Sequence, residues 1–187
     1  YLGSDFLEEG RNAARALARI VNGKAEIVEL VGTLDSAPAN DRYRGFREVL
    51  RDYPDLHILD SESGDFTRAR GREVMDEFLN RHGRQITAVF AHNDDMALGA
   101  IEAIEAAGAK PGTDIKIVSI DAVKDGMQAL ADGKINYIVE CNPLLGDQAA
   151  DLVKKVLAGE TVPKQTYAVD GAFDQEAAKA ALPSRAY

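Results

Sequence analysis

The side chains that could do chemistry sit where hydrophobic runs stop. Ile86 to Ala91 is a short β-branched and aromatic run, the signature of a buried strand. It ends in His92-Asn93-Asp94-Asp95, after which Met96, Ala100, Ile101 and Ile104 take up helical spacing as far as Gly108, placed as a C-cap. A strand that feeds a helix through a polar turn sets that turn at the carboxyl edge of a parallel sheet, where open α/β folds bind ligands. One polar residue there is explained as an N-cap. Four in a row exceed that need, and Asn93 is the candidate for a ligand contact. The arrangement recurs along the chain. Asp5, Asn40 to Arg42, Asp65-Phe66, Asp121 and Glu140 to Asn142 each follow a strand-like run. Carboxylates accept from hydroxyls, arginine donates as a fork, and an aromatic face covers C–H surface, so this set suits a neutral polyol. Each residue could instead cap a helix or close a turn. Arg42 is harder to explain locally, because arginine is a poor N-cap, and it is expected to stand exposed in a cleft without supporting the core.

These residues need elements to hold them, and the sequence supplies an alternation. Strand-like runs at 1–4, 26–31, 56–59, 86–91, 115–120 and 135–139 alternate with helical patterns at 5–20, 40–51, about 64–79, 96–104, a short one reaching Leu130, and 143–157. Such βα repetition implies a doubly wound, mostly parallel sheet with helices on both faces. By the right-handed crossover rule, a six-stranded lobe with runs 86–91 and 115–120 adjacent is expected. Tyr1 to Ser4 reads as the tail of a strand whose beginning is missing, so the chain is expected to be a fragment.

Composition removes several functions. With 22 Lys plus Arg against 31 Asp plus Glu, the formal charge is −9, which repels nucleic acid and anionic membranes. His57 and His82 lack ligand spacing around His92, and no nucleophile elbow, Walker loop or dinucleotide glycine fingerprint occurs. No enzyme activity, metal or cofactor is therefore expected. Cys141 is the single cysteine and cannot form an internal disulfide.

Several ordered segments carry a resemblance. Leu2-Gly3-Ser4-Asp5, Arg42 with Gly45-Phe46, Ser63-Gly64-Asp65-Phe66-Thr67-Arg68, Phe90 to Ala100 around His92-Asn93-Asp94-Asp95-Met96, Ser119-Ile120-Asp121 and Glu140-Cys141-Asn142-Pro143 together resemble the periplasmic sugar-binding proteins. These are the type I solute-binding proteins of ABC importers, and the likeness is greatest to their galactofuranose- and ribose-binding branch. The resemblance implies two lobes around a sugar, with this chain truncated at its N-terminus. Residues 1–21 would be a remnant of the N-terminal lobe, 22–140 the C-terminal lobe, 141–166 a return into the N-terminal lobe, and 167–187 a tail crossing back. It places Asp5, Asn93 and Asp121 on ring hydroxyls, Arg42 on the ring oxygen or hydroxyls, and Phe66 in a stack. Where ribose binders carry an amide, this chain has Cys141, and Glu140 is the candidate for the sixth contact. The calcium loop of galactose binders is not matched by Asp65 to Arg70. The implied ligand is a monosaccharide, furanose or pyranose, the implied partners a membrane permease and a chemoreceptor, and the implied compartment the periplasm. The effector domain of a sugar-responsive repressor is the alternative on the same fold. Alone, the chain is expected to bind sugar weakly, with helices 5–20 and 143–157 docking on the lobe, on each other or on a second copy.

Overall fold

The computed structural model describes residues 1–187. In chain order the elements are β1 (Leu2–Gly3), α1 (Phe6–Ile20), β2 (Ala25–Val31), α2 (Ala37–Leu50), β3 (Leu56–Ser63), α3 (Arg68–His82), β4 (Ala88–Ala91), α4 (Asp94–Ala106), β5 (Lys116–Asp121), α5 (Lys124–Ala131), β6 (Tyr137–Glu140), α6 (Gly146–Leu157), β7 (Thr166–Tyr167), β8 (Ala172–Phe173) and α7 (Gln175–Ala181). Six strands form one sheet in the order β3-β2-β4-β5-β6-β8. All pairings in it are parallel except β6 with β8. β1 and β7 make a separate parallel pair. The expected adjacency of β4 and β5 is present, with Val89 opposite Ile117.

Strand parity sorts the core into two layers. Val28, Leu30, Val89, Ala91 and Ile117 point to one face, where α3, α4, α5 and α7 cover them. Ile27, Ala88, Phe90, Val118 and Ile120 point to the other, where α1 and α2 pack. Phe46 of α2 stacks on Phe90 at 4.0 Å between ring centroids. The crossovers α2 and α3 thus lie on opposite faces, and the chain changes direction between β2 and β4. That topological switch point opens a crevice at the carboxyl ends of those two strands.

Three expectations need correction. The division at residue 21 is not how the chain packs. Ala13, Ala14, Leu17 and Ala18 of α1 are buried in the same core as β2, β4 and β5, so α1 is an integral layer of this lobe. α1 and α2 cross closely because Gly10 and Gly45 sit at the contact; a Cβ on Gly10 would overlap the Arg42 backbone, and one on Gly45 the Leu7 carbonyl. Second, α2 starts before residue 40: Ser36 caps it, its Oγ accepting from Ala39 N at 3.4 Å, and Pro38 occupies the first turn. Arg42 therefore lies inside the helix, not at its end. Third, β3 runs on to Ser63, because Val28 to Val31 pair with Asp60 to Ser63, and polar residues suit an edge strand. Within this single chain, α6 does not dock on the lobe. No residue of α6 is buried, and Val153, Val156 and Leu157 stand 57%, 56% and 82% exposed.

Candidate functional site

Helices that return a chain over a parallel sheet run antiparallel to its strands, so their N-termini gather at the carboxyl edge. Asp5, Asn93 and Thr67 accordingly cap α1, α4 and α3 at that edge. The Asp5 carboxylate accepts from Glu8 N at 3.0 Å, which occupies one of its oxygens. Asn93 accepts from Met96 N at 3.0 Å and donates its amide to the Phe66 carbonyl at 3.1 Å. Capping and site-building are thus done by the same side chain.

Arg42 is the centre of the arrangement, and it is not exposed. It is 3% exposed, and its Nε donates to Glu9 Oε2 at 2.7 Å, one Nη to the His92 carbonyl at 2.6 Å, and the other to Asp121 Oδ1 at 3.4 Å. The guanidinium lies 5.5 Å from the Phe6 ring centroid and 6.0 Å from that of Phe66. The expectation of a free cleft arginine is overturned. The cause is Glu9, a buried carboxylate on α1 that the Gly10 and Gly45 crossing brings within reach of α2. Burial alone would lower the Arg42 pKa, but Glu9 and Asp121 more than offset it and the net shift is upward. Burial pushes the Glu9 carboxyl up while Arg42 pulls it back, leaving it raised.

Asp121 ends β5 with φ 121° and keeps a side chain 27% exposed. Burial, reinforced by Glu9 and Asp95 and opposed by Arg42, raises its pKa to about 6. It remains an ionised acceptor at neutral pH with one face open. Glu140 pairs with Asp121 across β5 and β6, yet its carboxylate is taken up by the C-terminal tail. It accepts from Arg185 and from the Tyr187 hydroxyl, each at 2.6 Å, and from Gly171 N at 2.7 Å. Those donors fill three of its roughly four acceptor positions, so in this structure Glu140 holds the C-terminal tail. Arg42, Phe66, Asn93 and Asp121 are brought together; Asp5 adjoins them through Phe6; Glu140 does not join them.

The remaining polar residues of the β4–α4 turn are internal supports. His92 is fully buried, with Nε2 3.0 Å from Glu29 Oε1 and Nδ1 accepting from Gly32 N at 3.4 Å. Those partners place the proton on Nε2, and burial lowers the imidazole pKa. Asp94, also fully buried, accepts from the Ser119 hydroxyl and from Val123 N, tying α4 to the start of α5. Burial raises it to about 8, so it is largely protonated at neutral pH. Cys141 is half-buried beside Ser4 and Glu9, and desolvation pushes its thiol up to about 12, an inert state.

A recess of about 520 Å³ between Leu79, Ile86, Ala107 and Ile115 lies at the opposite, amino edge of β4 and β5. Beside Arg42, a smaller recess of about 190 Å³ is lined by Ser4, Asp5, Phe6 and Asp41.

Comparison with known proteins decides the kinship. The family described as "Periplasmic binding protein domain" matches residues 1–161. The chain belongs to that family. It is 43% identical over 165 residues to the galactofuranose-binding protein YtfQ of Escherichia coli K12, covering 87% of this chain and 52% of that protein. It is 58% identical to a Mycobacterium smegmatis protein whose crystal structure holds β-D-fucofuranose, with a TM-score of 0.91 over 98% of this chain and 61% of that one. The binding protein of the arabinose ABC transporter of Shewanella sp. ANA-3, bound to L-arabinofuranose, is 44% identical with a TM-score of 0.94 over 99% and 62% of the two chains. The chain thus spans about half to three-fifths of the length of the relatives it matches. The identification as a family member and the doubly wound architecture agree with the sequence reading. Phe6 and Glu9 are the site residues that reading missed. Glu9 had a signal, since it shares a helical stripe with Ala13 and Leu17, and a charge on an apolar stripe requires a buried partner.

Proposed function

We propose that this chain supplies one wall of the sugar cleft in the periplasmic solute receptor of an ABC importer, and that its ligand is a neutral monosaccharide in the furanose form. Arg42, held between the Phe6 and Phe66 rings and joined to Asp121, is the observation that carries the reading. Guanidinium has five N–H groups, of which three are engaged by Glu9, His92 and Asp121. Two remain for a ring oxygen or hydroxyl. Asp121 accepts from another hydroxyl, Asp5 offers its second oxygen, and Phe66 covers C–H surface. An anionic ligand fits poorly, because Arg42 is already neutralised by Glu9 and any second anion would compete for it. The furanose assignment rests on relatives that bind fucofuranose, arabinofuranose and galactofuranose.

A second lobe closing on this face would expel water and strengthen each hydrogen bond. Open to solvent, each bond has a net worth of about 1 kcal/mol, and ordering the sugar offsets most of the sum. The test is a thermal-shift panel of L-arabinose, D-galactose, D-fructose and D-ribose on the protein with its second lobe, and on residues 1–187 alone. A sugar at a hundred times its Kd should add about 2.7 kcal/mol to the two-lobed protein and little to the single lobe. No response to any furanose-forming sugar would sink the reading.

A further inference from the structure

Asp65 and Phe66 both adopt left-handed backbone, with φ of 52° and 57°, a conformation that L side chains enter only at a cost. Strain of this kind persists where surroundings over-determine it, and here the surroundings are explicit. Ser63 Oγ donates to the Gly32 carbonyl at 2.8 Å and accepts from Asp65 N at 3.2 Å. Thr67 N donates to the Gly64 carbonyl at 3.0 Å, and the Asn93 amide holds the Phe66 carbonyl at 3.1 Å. The loop after β3 is thereby bent back over the carboxyl end of β2, and the tip of the Phe66 ring comes to rest on Gly32. The backbone of Gly32 is outside the left-handed region, so its φ does not call for glycine. Space does: a Cβ there would overlap Cζ, Cε1 and Cε2 of Phe66.

We propose that Gly32 is a positioning residue for the aromatic wall of the sugar site, the bare backbone on which Phe66 seats beside Arg42. The inference rests on the sugar-binding reading of this face. Any side chain at position 32 must push the ring tip outward, toward the place a ligand would take. Because the Phe66 backbone is pinned by Asn93, the ring and not the loop should yield, so the variant should still fold.

The test is a cycle of Gly32→Ala, Phe66→Ala and the double variant, in the protein with its second lobe, by calorimetry with L-arabinose, and with D-galactose in parallel. Loss of one aromatic contact predicts about tenfold weaker binding for Phe66→Ala. Gly32→Ala should match it, and the double variant should be no weaker than Phe66→Ala, since both changes act through one ring. A merely structural glycine would give losses that add, which would overturn the proposal alone. Unchanged affinity in Phe66→Ala would instead refute the ring's place in the sugar site, and Gly32's role with it. A crystal structure of Gly32→Ala on residues 1–187 needs no sugar. It should show the Phe66 ring displaced with the Asn93 contact kept, and an undisplaced ring refutes the seating.

Discussion

Replacing Arg42 with alanine probes the centre of the site before any ligand is added. Its Nε–Oε2 contact with Glu9 is 2.7 Å, and the two side chains are 4% and 2% exposed. Removing the cation leaves Glu9 a buried carboxylate without a partner, and its Oε1 already has none. Breaking a buried pair in this way costs about 3–5 kcal/mol. For a chain of this size that corresponds to a fall in Tm of about 6–20 °C. The loss should depend on pH in a defined direction. Glu9 is raised even with Arg42 present, and without it the folded-state pKa rises further above the unfolded value. A raised carboxyl contributes stability that is present below its unfolded pKa and is lost as pH rises. The deficit of Arg42→Ala should therefore be largest at pH 7 and shrink toward pH 4, where Glu9 is protonated. The Glu9→Leu, Arg42→Met double variant, which replaces the pair by apolar groups, should recover most of the stability while abolishing sugar binding in the two-lobed protein. Urea unfolding of residues 1–187 measures all three. A deficit under 1 kcal/mol for Arg42→Ala, or additive losses in the double variant, would mean that the pair is not the buried, coupled unit described.

Asp121 is raised to about 6, chiefly by burial, and must be ionised to accept from a sugar hydroxyl. Sugar affinity should fall as pH drops through about 6, and Asp121→Asn should bind more weakly with that dependence removed, read by calorimetry between pH 5 and 8. Burial raises Asp94 from the ordinary carboxylate range to about 8, so its stabilising effect is full near pH 4 and is lost as pH climbs toward 8. Asp94→Asn should therefore gain stability relative to the parent as pH rises across that window, and a difference independent of pH would refute the neutral-acid reading. Glu140→Ala should cost about 3 kcal/mol, because it strands Arg185 at a nearly buried pair. Hydrogen exchange should speed first at Ala172–Phe173 and leave β4 and β5 protected, whereas uniform loss of protection would contradict a tail lock.

The sheet and the edge that carries the candidate site were legible because they rest on local regularities. Buried parallel strands such as Ile86 to Ala91 are short apolar runs that stop in a polar residue, Asn93 capping α4 after β4 and Asp121 closing β5 itself, so both announce their own edge. Strand order followed from the crossover rule, which needs no side-chain detail. What could not be read depends on distance in sequence. Glu9 and Arg42 are 33 residues apart, and they meet only because two glycines let α1 and α2 approach; nothing local tells an exposed arginine from one buried against a carboxylate. Glu140 looked free because its partners, Arg185 and Tyr187, lie beyond β7 and β8, and two-residue strands are too short to show alternation. The same limit explains why Phe66 was legible and Gly32 was not. An aromatic residue in a polar turn is visible by type, whereas a glycine required by space and not by φ has no signature until the ring that rests on it is in place. Sequence thus exposes groups that face a ligand more readily than those that hold them there, because the first are conspicuous by chemistry and the second only by contact.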